Sequence, residues 1–385
     1  MINDDRHIHT QKDQIVNILG TTAARLAGML VSFVFFASQF AVSQSKDSSQ
    51  AISVSGFVDA YYSRNFAAPD SRTNKLRNFD IPENQINLNL AEIVLQKNAQ
   101  PVGFRLDIDC GTANDVVQGI APYGTTAYNT LANFQQAYLT AVIPVGAGVT
   151  ADVGKFVTHM GYEVIESKDN WNYSRSLLFA WAIPYYHTGL RLTYPFADNF
   201  TVAVHVVNGW NSTIDNNAEK SLGLALNYSP TGSTGLTLNV MDGFEQPVGF
   251  DVGKKKVFDF IVNQKVTEAF ALALNADYGD ESLLTGLYTW KGAAVYARYA
   301  LGPKSAVAVR AEIFDDPRGY ATGLGVSGLN VKEVTGTYEY KFADALLVRG
   351  EGRCDFSNAP VFDKKGNVNT MKSQTTILVG LVAMF

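Results

Sequence analysis

From Ile52 onward the chain divides into sixteen stretches in which apolar side chains tend to recur at every second position, and the links between them alternate between long and short. A period of two is the mark of a β-strand with one apolar face. In 51–63, Ile52, Val54, Val58, Ala60 and Tyr62 share one side, and Ser53, Ser55, Asp59 and Tyr61 the other. In 102–110, Phe104, Leu106 and Ile108 oppose Arg105, Asp107 and Asp109. In 199–208, Val202, Val204 and Val206 oppose Thr201, Ala203 and His205. The expected strands are 51–63, 86–97, 102–110, 133–143, 149–156, 185–194, 199–208, 221–228, 235–241, 256–265, 270–278, 290–301, 305–314, 331–342, 345–356 and 374–385. Links after odd-numbered strands are long and links after even-numbered strands short, the pattern of a membrane barrel whose two rims face different compartments.

The last stretch, 374–385, is apolar on both sides and ends on Phe385. Chain ends normally fray in solvent. A strand closing the chain with an aromatic residue is instead expected to pair with the first strand, so that no open edge is left in lipid. Sixteen strands enclose an aqueous channel rather than a packed core. The expected fold class is therefore all-β: a transmembrane antiparallel β-barrel of about 16 strands, with short periplasmic turns, long external loops and a third long loop folded into the lumen.

Composition supports strands over helices. Hydrophobic residues make up 46% of the 385, and mean hydropathy is -0.01. A helical membrane protein needs about twenty apolar residues in each span, whereas a barrel strand needs only every second one. With 18 Tyr, 23 Phe and 32 Gly the chain is rich in strand and turn formers. A net charge of -5 gives no reason to expect nucleic acid. Near the amino end, 26–40 is an apolar run behind Arg25, followed by Ala41-Val42-Ser43. Small residues there suit a signal peptidase. The expected organisation is a signal peptide at 1–43 and one barrel domain at 44–385.

If apolar residues face lipid, parity turns the opposite set inward: Asp59, Arg105, Asp107, Asp109, Arg191, Asp277, Arg298, Arg310, Glu312, Glu339, Lys341, Arg349, Glu351, Arg353 and Asp355. Two readings fit such a wall. One is a water-filled channel with both signs of charge, the other a salt-bridge ladder across neighbouring strands. Cys110 and Cys354 fall on the lipid-facing parity with three strands between them, roughly 19 Å apart at about 4.8 Å per strand. That is beyond disulfide reach, so both are expected as free thiols.

The third long link, 157–184, carries Glu163, Glu166, Lys168, Asp169, Trp171, Tyr173 and Arg175, then Leu177-Leu178-Phe179-Ala180-Trp181-Ala182-Ile183. An apolar group of that size is normally covered. The loop is expected to enter the barrel and narrow it, with Glu163, Glu166, Lys168, Asp169, Trp171 and Arg175 at the constriction. The competing reading packs it over the rim or at a subunit contact.

Particular motifs then point to a family. Gly56-Phe57-Val58-Asp59-Ala60-Tyr61-Tyr62, Gly154-Lys155-Phe156-Val157-Thr158-His159, Asn170-Trp171-Asn172-Tyr173-Ser174-Arg175-Ser176 and Trp181-Ala182-Ile183-Pro184-Tyr185-Tyr186-His187-Thr188-Gly189 resemble the porin-2 group of Gram-negative β-barrel porins. The resemblance covers nearly everything after the leader. It implies a barrel in the cell outer membrane and a pore, and names no substrate. The expected function, from a lumen of mixed charge, is passive diffusion of small hydrophilic solutes, with no cofactor. The alternative is a non-conducting barrel that binds a ligand or partner protein. Expected partners are outer-membrane lipid, the barrel-assembly machinery reading the strand that ends at Phe385, and further copies of the chain. His159, His187 and His205 are the histidines after the leader, and no HExxH, CxxC or GxSxG motif surrounds them. Catalysis is accordingly not expected, nor is a metal.

Overall fold

The computed structural model describes residues 51–119, 130–246 and 253–385. The expected leader lies outside these residues. The strands in chain order are β1 (Ser53–Asn65), β2 (Ile86–Lys97), β3 (Val102–Cys110), β4 (Phe134–Ile143), β5 (Val149–Val157), β6 (Tyr186–Ala197), β7 (Phe200–Val207), β8 (Ser221–Thr231) and β9 (Thr234–Gly243). They continue with β10 (Lys255–Lys265), β11 (Phe270–Leu283), β12 (Gly286–Gly302), β13 (Ser305–Asp316), β14 (Leu329–Ala343), β15 (Leu346–Ser357), β16 (Phe362–Lys364), β17 (Asn367–Met371) and β18 (Ser373–Met384). Two short helices, α1 (Thr112–Val117) and α2 (Leu177–Trp181), lie in the long links.

Sixteen of these strands form a closed antiparallel barrel, and β16 with β17 makes a separate hairpin. Closure joins β1 to β18, from Phe57 opposite Met384 to Asn65 opposite Thr376. Phe385 extends the seam by exchanging backbone hydrogen bonds with Gly56 at 3.0 and 3.1 Å. Every barrel strand thus has a partner on both sides, the condition for strands to cross hydrocarbon. Among the described residues no helix is long and apolar enough to cross a membrane.

Alternation sets which side chains meet lipid. On β18 the burial pattern switches at every residue from Gln374 to Ala383, with Ile377, Val379 and Leu381 exposed and Thr376, Leu378 and Val382 buried. Val309 and Ile313 on β13 and Val295 on β12 follow the same outward parity. At the short-turn rim the outer surface carries ring contacts between Tyr194 and Phe196, Phe200 and Tyr228, and Phe270 and Tyr299. Such an aromatic girdle marks a membrane interface. Cys110 and Cys354 are free, as expected.

One expected link is overturned. Residues 279–289, read as a long connection, belong to strands: β11 and β12 run on to Leu283 opposite Gly286, leaving a two-residue turn. Gly286 takes φ +116, which an L side chain rarely adopts. The polar run Asp280-Glu281-Ser282 hid this extension, because strands that rise beyond the membrane need no apolar face. The hairpin of β16 and β17 within the last long link was not expected either.

Candidate functional site: a lumen crossed by one loop

Residues 158–185, between β5 and β6, leave the rim and cross the barrel interior. A segment of irregular backbone at membrane depth must find partners for its N–H and C=O groups inside the protein. Here inward-facing side chains of the wall supply them. Glu351 accepts from the Tyr173 and Ser174 N–H groups at 2.6 and 3.0 Å, and Glu312 from Leu177 and Leu178 at 2.6 and 3.3 Å. Across the barrel, Asp259 accepts from Gly161 N–H at 2.9 Å and Asn275 from Tyr162 N–H at 3.2 Å. Arginines do the converse. Arg310 donates to the Ser174 carbonyl at 2.6 Å, Arg353 to the Arg175 carbonyl at 2.6 Å, and Arg349 to those of Ser167 and Asn170.

The loop is also tied to itself. Arg175 donates to the carbonyls of Val164, Ile165 and Tyr173, closing the bend. Glu163 accepts from Ser176 N–H at 2.6 Å and pairs with Arg310 at 2.7 Å. Ser176 then caps α2, its hydroxyl oxygen accepting from Phe179 N–H at 3.0 Å. The loop's leading ring finds its room in a glycine: at Gly380, on the inner face of β18, a Cβ would stand 2.5 Å from the Tyr173 ring. Tyr173 donates its hydroxyl to Asp59 at 2.6 Å, and Ser167 donates to the same carboxylate at 2.7 Å.

Apolar packing completes the crossing. Leu177, Leu178, Phe179, Ala182 and Ile183 are buried in one cluster with Leu76 and Phe79 of the first long link and with Trp290, Phe314 and Val331 of the wall. Phe79 meets Phe179 edge-on at 5.8 Å between ring centroids, and Trp290 Nε1 donates to the Ala182 carbonyl at 3.1 Å. Arg77 ties the first link to the wall at Asp355, 2.7 Å away.

The inward charges therefore split by exposure. Asp59, Asp107, Asp109, Asp277, Arg310, Glu312, Arg349, Glu351, Arg353 and Asp355 are all buried, Arg349 among them although it stands opposite Glu339. The expectation that these line a wetted wall is corrected: they face inward but are covered, Arg310, Glu312, Arg349, Glu351 and Arg353 by loop backbone and Asp59 by the hydroxyls of Tyr173 and Ser167. The ladder reading describes them better, with Arg310 to Glu333 at 2.6 Å, Arg349 to Glu339 at 2.6 Å and Arg353 to Glu333 at 3.5 Å across neighbouring strands. Toward the short-turn rim Arg105, Arg191, Arg298 and Lys341 remain part-exposed, and with Glu339 they border a cavity of about 910 Å³. Of the loop residues singled out, Glu163 and Arg175 are buried clamps. Glu166, Lys168 and Asp169 border the large cavity, and Trp171 a second one of about 370 Å³ at the same rim.

Sequence reasoning missed several members. Arg77 and Asp80 sit in a link read only as polar, and Asp259 and Asn275 lie on strands whose alternation is clear but whose tie to the loop is not. Ser176 ahead of an apolar run was a legible cap signal. His159 of the loop and His187 and His205 of the wall, separated in sequence, come together with ring centroids 4.1 Å (His159 to His205) and 5.7 Å (His159 to His187) apart. His159 and His205 stack face to face instead of converging. Among the described residues no group of three His, Cys, Asp or Glu is placed to hold a metal ion.

Solved structures share this architecture at low sequence identity. OmpT, an outer membrane protein of Vibrio cholerae, superposes with a TM-score of 0.58 at 13% identity, over 88% of this chain and 99% of its own. An anion-selective porin from Comamonas acidovorans gives 0.58 at 10% identity, over 87% and 100%. The outer membrane channel DcaP of Acinetobacter baumannii gives 0.57 at 12%, over 89% and 100%. These likenesses establish the fold. No curated protein matches the chain. A family model described as "putative beta-barrel porin-2, OmpL-like" matches residues 51–385, the whole barrel, and the chain belongs to that family of outer-membrane barrels.

Proposed function

We propose that the protein is a porin of narrow bore, through which small hydrophilic solutes diffuse passively across the outer membrane. The observation that carries this reading is the division of the lumen: a polar chamber of about 910 Å³ open at the short-turn rim, with one loop drawn across the barrel beyond it. Both signs of charge border the chamber, Arg298 beside Glu339 and Lys168 beside Asp169. Interleaved charges give weak ion selectivity. The site is a conduit, and no bond is made or broken in it. The strand ending at Phe385 serves the assembly machinery, and homo-oligomers are the proposed assembly.

Planar-bilayer recording of the purified protein tests the reading. Small, discrete conductance steps are expected, and deletion of residues 163–175 raises them. Silence of both proteins overturns conduction, and an unchanged step after deletion overturns the constriction. The apolar packing of Phe179, Phe79 and Trp290 in the outer half of the lumen favours a second reading, a non-conducting barrel that binds a ligand or partner. Silence of the intact protein together with steps from the deletion variant supports that one.

A further inference from the structure

Part of the lumen wall near the short-turn rim carries almost no charge. On β9, β10 and β11 the inward residues there are Gly235, Asn263 and Ala271, with Thr237 and Ala273 next along the strands. They share parity with Asn239, Asp259 and Asn275, whose side chains hydrogen-bond one another inside the barrel. Elsewhere around the same rim stand Arg105, Arg191 and Arg298, each with its acid. Trp171 of the crossing loop reaches the uncharged side. With Gly235, Asn263, Ala271 and the turn between β8 and β9 it borders the cavity of about 370 Å³. Small-molecule sites usually enclose about 300–1,000 Å³. Lys265, the one charged residue bordering this cavity among the described residues, is already paired with Glu268 at 2.7 Å.

The lining keeps groups free for a ligand. Trp171 is half-buried, whereas Leu177, Leu178, Phe179 and Ile183 of the same loop are buried in the core. Tyr162 meets its ring edge-to-face at 5.6 Å between centroids, and Trp171 Nε1 has no hydrogen-bond partner among the described residues. The Asn263 side chain is exposed and has no such partner either. At Gly235 an added Cβ would meet only Asn263 Cβ, 3.7 Å away, so the wall here is set back rather than filled. An indole supplies a broad apolar face, and a primary amide supplies two donors and an acceptor. A pyranose ring presents the matching surfaces, C–H groups on its face and neutral hydroxyls at its edge. An ionic solute would find no free counter-ion here.

We infer that the cavity bordered by Trp171 and β9–β11 is a binding site for a neutral sugar, its ring face against the indole and its hydroxyls on the Asn263 amide. Sites of this kind combine an aromatic lining with a few placed polar groups. Weak binding suits a conduit, because a solute that enters must also leave. The inference deepens the porin reading by naming a solute class. Binding is read without any current across a membrane, so the two fail separately: conduction without sugar binding overturns this inference alone.

Saturation-transfer NMR on the full-length protein in an amine-oxide detergent, which carries no sugar, tests it with methyl β-glucoside as probe. Mannitol, a polyol without a ring, and glucuronate, a charged ring, are the controls. Saturable transfer from a millimolar site is expected, with both controls at least about tenfold weaker. Trp171→Ala should weaken the glucoside about tenfold, and Gly235→Leu, which places a side chain in the cavity, should do the same or more. Asn263→Ala should weaken it severalfold. Heat-shifted gel mobility confirms that each variant is a folded barrel. No saturable transfer overturns the inference, as does binding equal to that of mannitol or of glucuronate, or affinity unchanged in the folded Trp171→Ala and Gly235→Leu variants.

Discussion

The two halves of the lumen are lined by the same residue types and behave differently. Near the short-turn rim Arg298 pairs with Glu339 and keeps about a third of its side chain in solvent. One repeat of the alternation further along, Arg310 pairs with Glu333 and Glu163 and has none. Strand parity places both side chains inside the barrel. Whether an inward charge is wet is decided by another part of the chain, the loop at 158–185. In the outer half that loop offers its own N–H and C=O groups to the wall, and the charged residues become its scaffold. The lesson is that a barrel wall and a barrel pore are separate properties, the first set locally and the second by what folds back into it.

Breaking the outer half should cost most. Arg310→Ala leaves Glu163 and Glu333 buried without their main cation, and removing one partner of a buried pair costs about 3–5 kcal/mol. Denaturant unfolding followed by heat-shifted mobility should show that loss, and wild-type stability would break the comparison. Gly380→Leu comes next. It drives a side chain into the Tyr173 ring, overpacking of the kind that costs about 1–3 kcal/mol, and it should enlarge conductance by pushing the loop aside. Gly350→Ala, where the space is open, should change neither.

Smaller effects sharpen the contrast. Ser176→Ala removes the cap on α2 and should cost about 1 kcal/mol in the same unfolding assay. Arg298→Ala, in the wet half, should cost less than about 1 kcal/mol, because its pair is screened by solvent. If Arg298→Ala proved as damaging as Arg310→Ala, the division into a dry half and a wet half would be wrong.

Much of the barrel was legible because alternation is a local signal. All sixteen strands, the closure at Phe385 and the inward set around Arg349, Glu351, Arg353 and Asp355 follow from period two and link length. The hairpin tip at 279–289 was not, since strands above the membrane lose the apolar face that marks them. The loop's entry was legible too, from five large apolar residues with nothing nearby in sequence to cover them. What remained hidden was the dryness of the outer lumen. It depends on Glu351 meeting Tyr173, and Asp259 meeting Gly161, pairs separated by 178 and 98 residues. No periodicity reports such contacts, and the same is true of His159 beside His205.

Hydrogen exchange of the loop backbone in the detergent-solubilised protein, read by mass spectrometry on peptides from 161–178, tests the central claim most directly. If wall side chains hold its N–H groups, the amides of Gly161, Tyr173, Ser174, Leu177 and Leu178 should exchange about a thousandfold more slowly than an open loop, close to the strands. Exchange as fast as in an open loop would contradict the account.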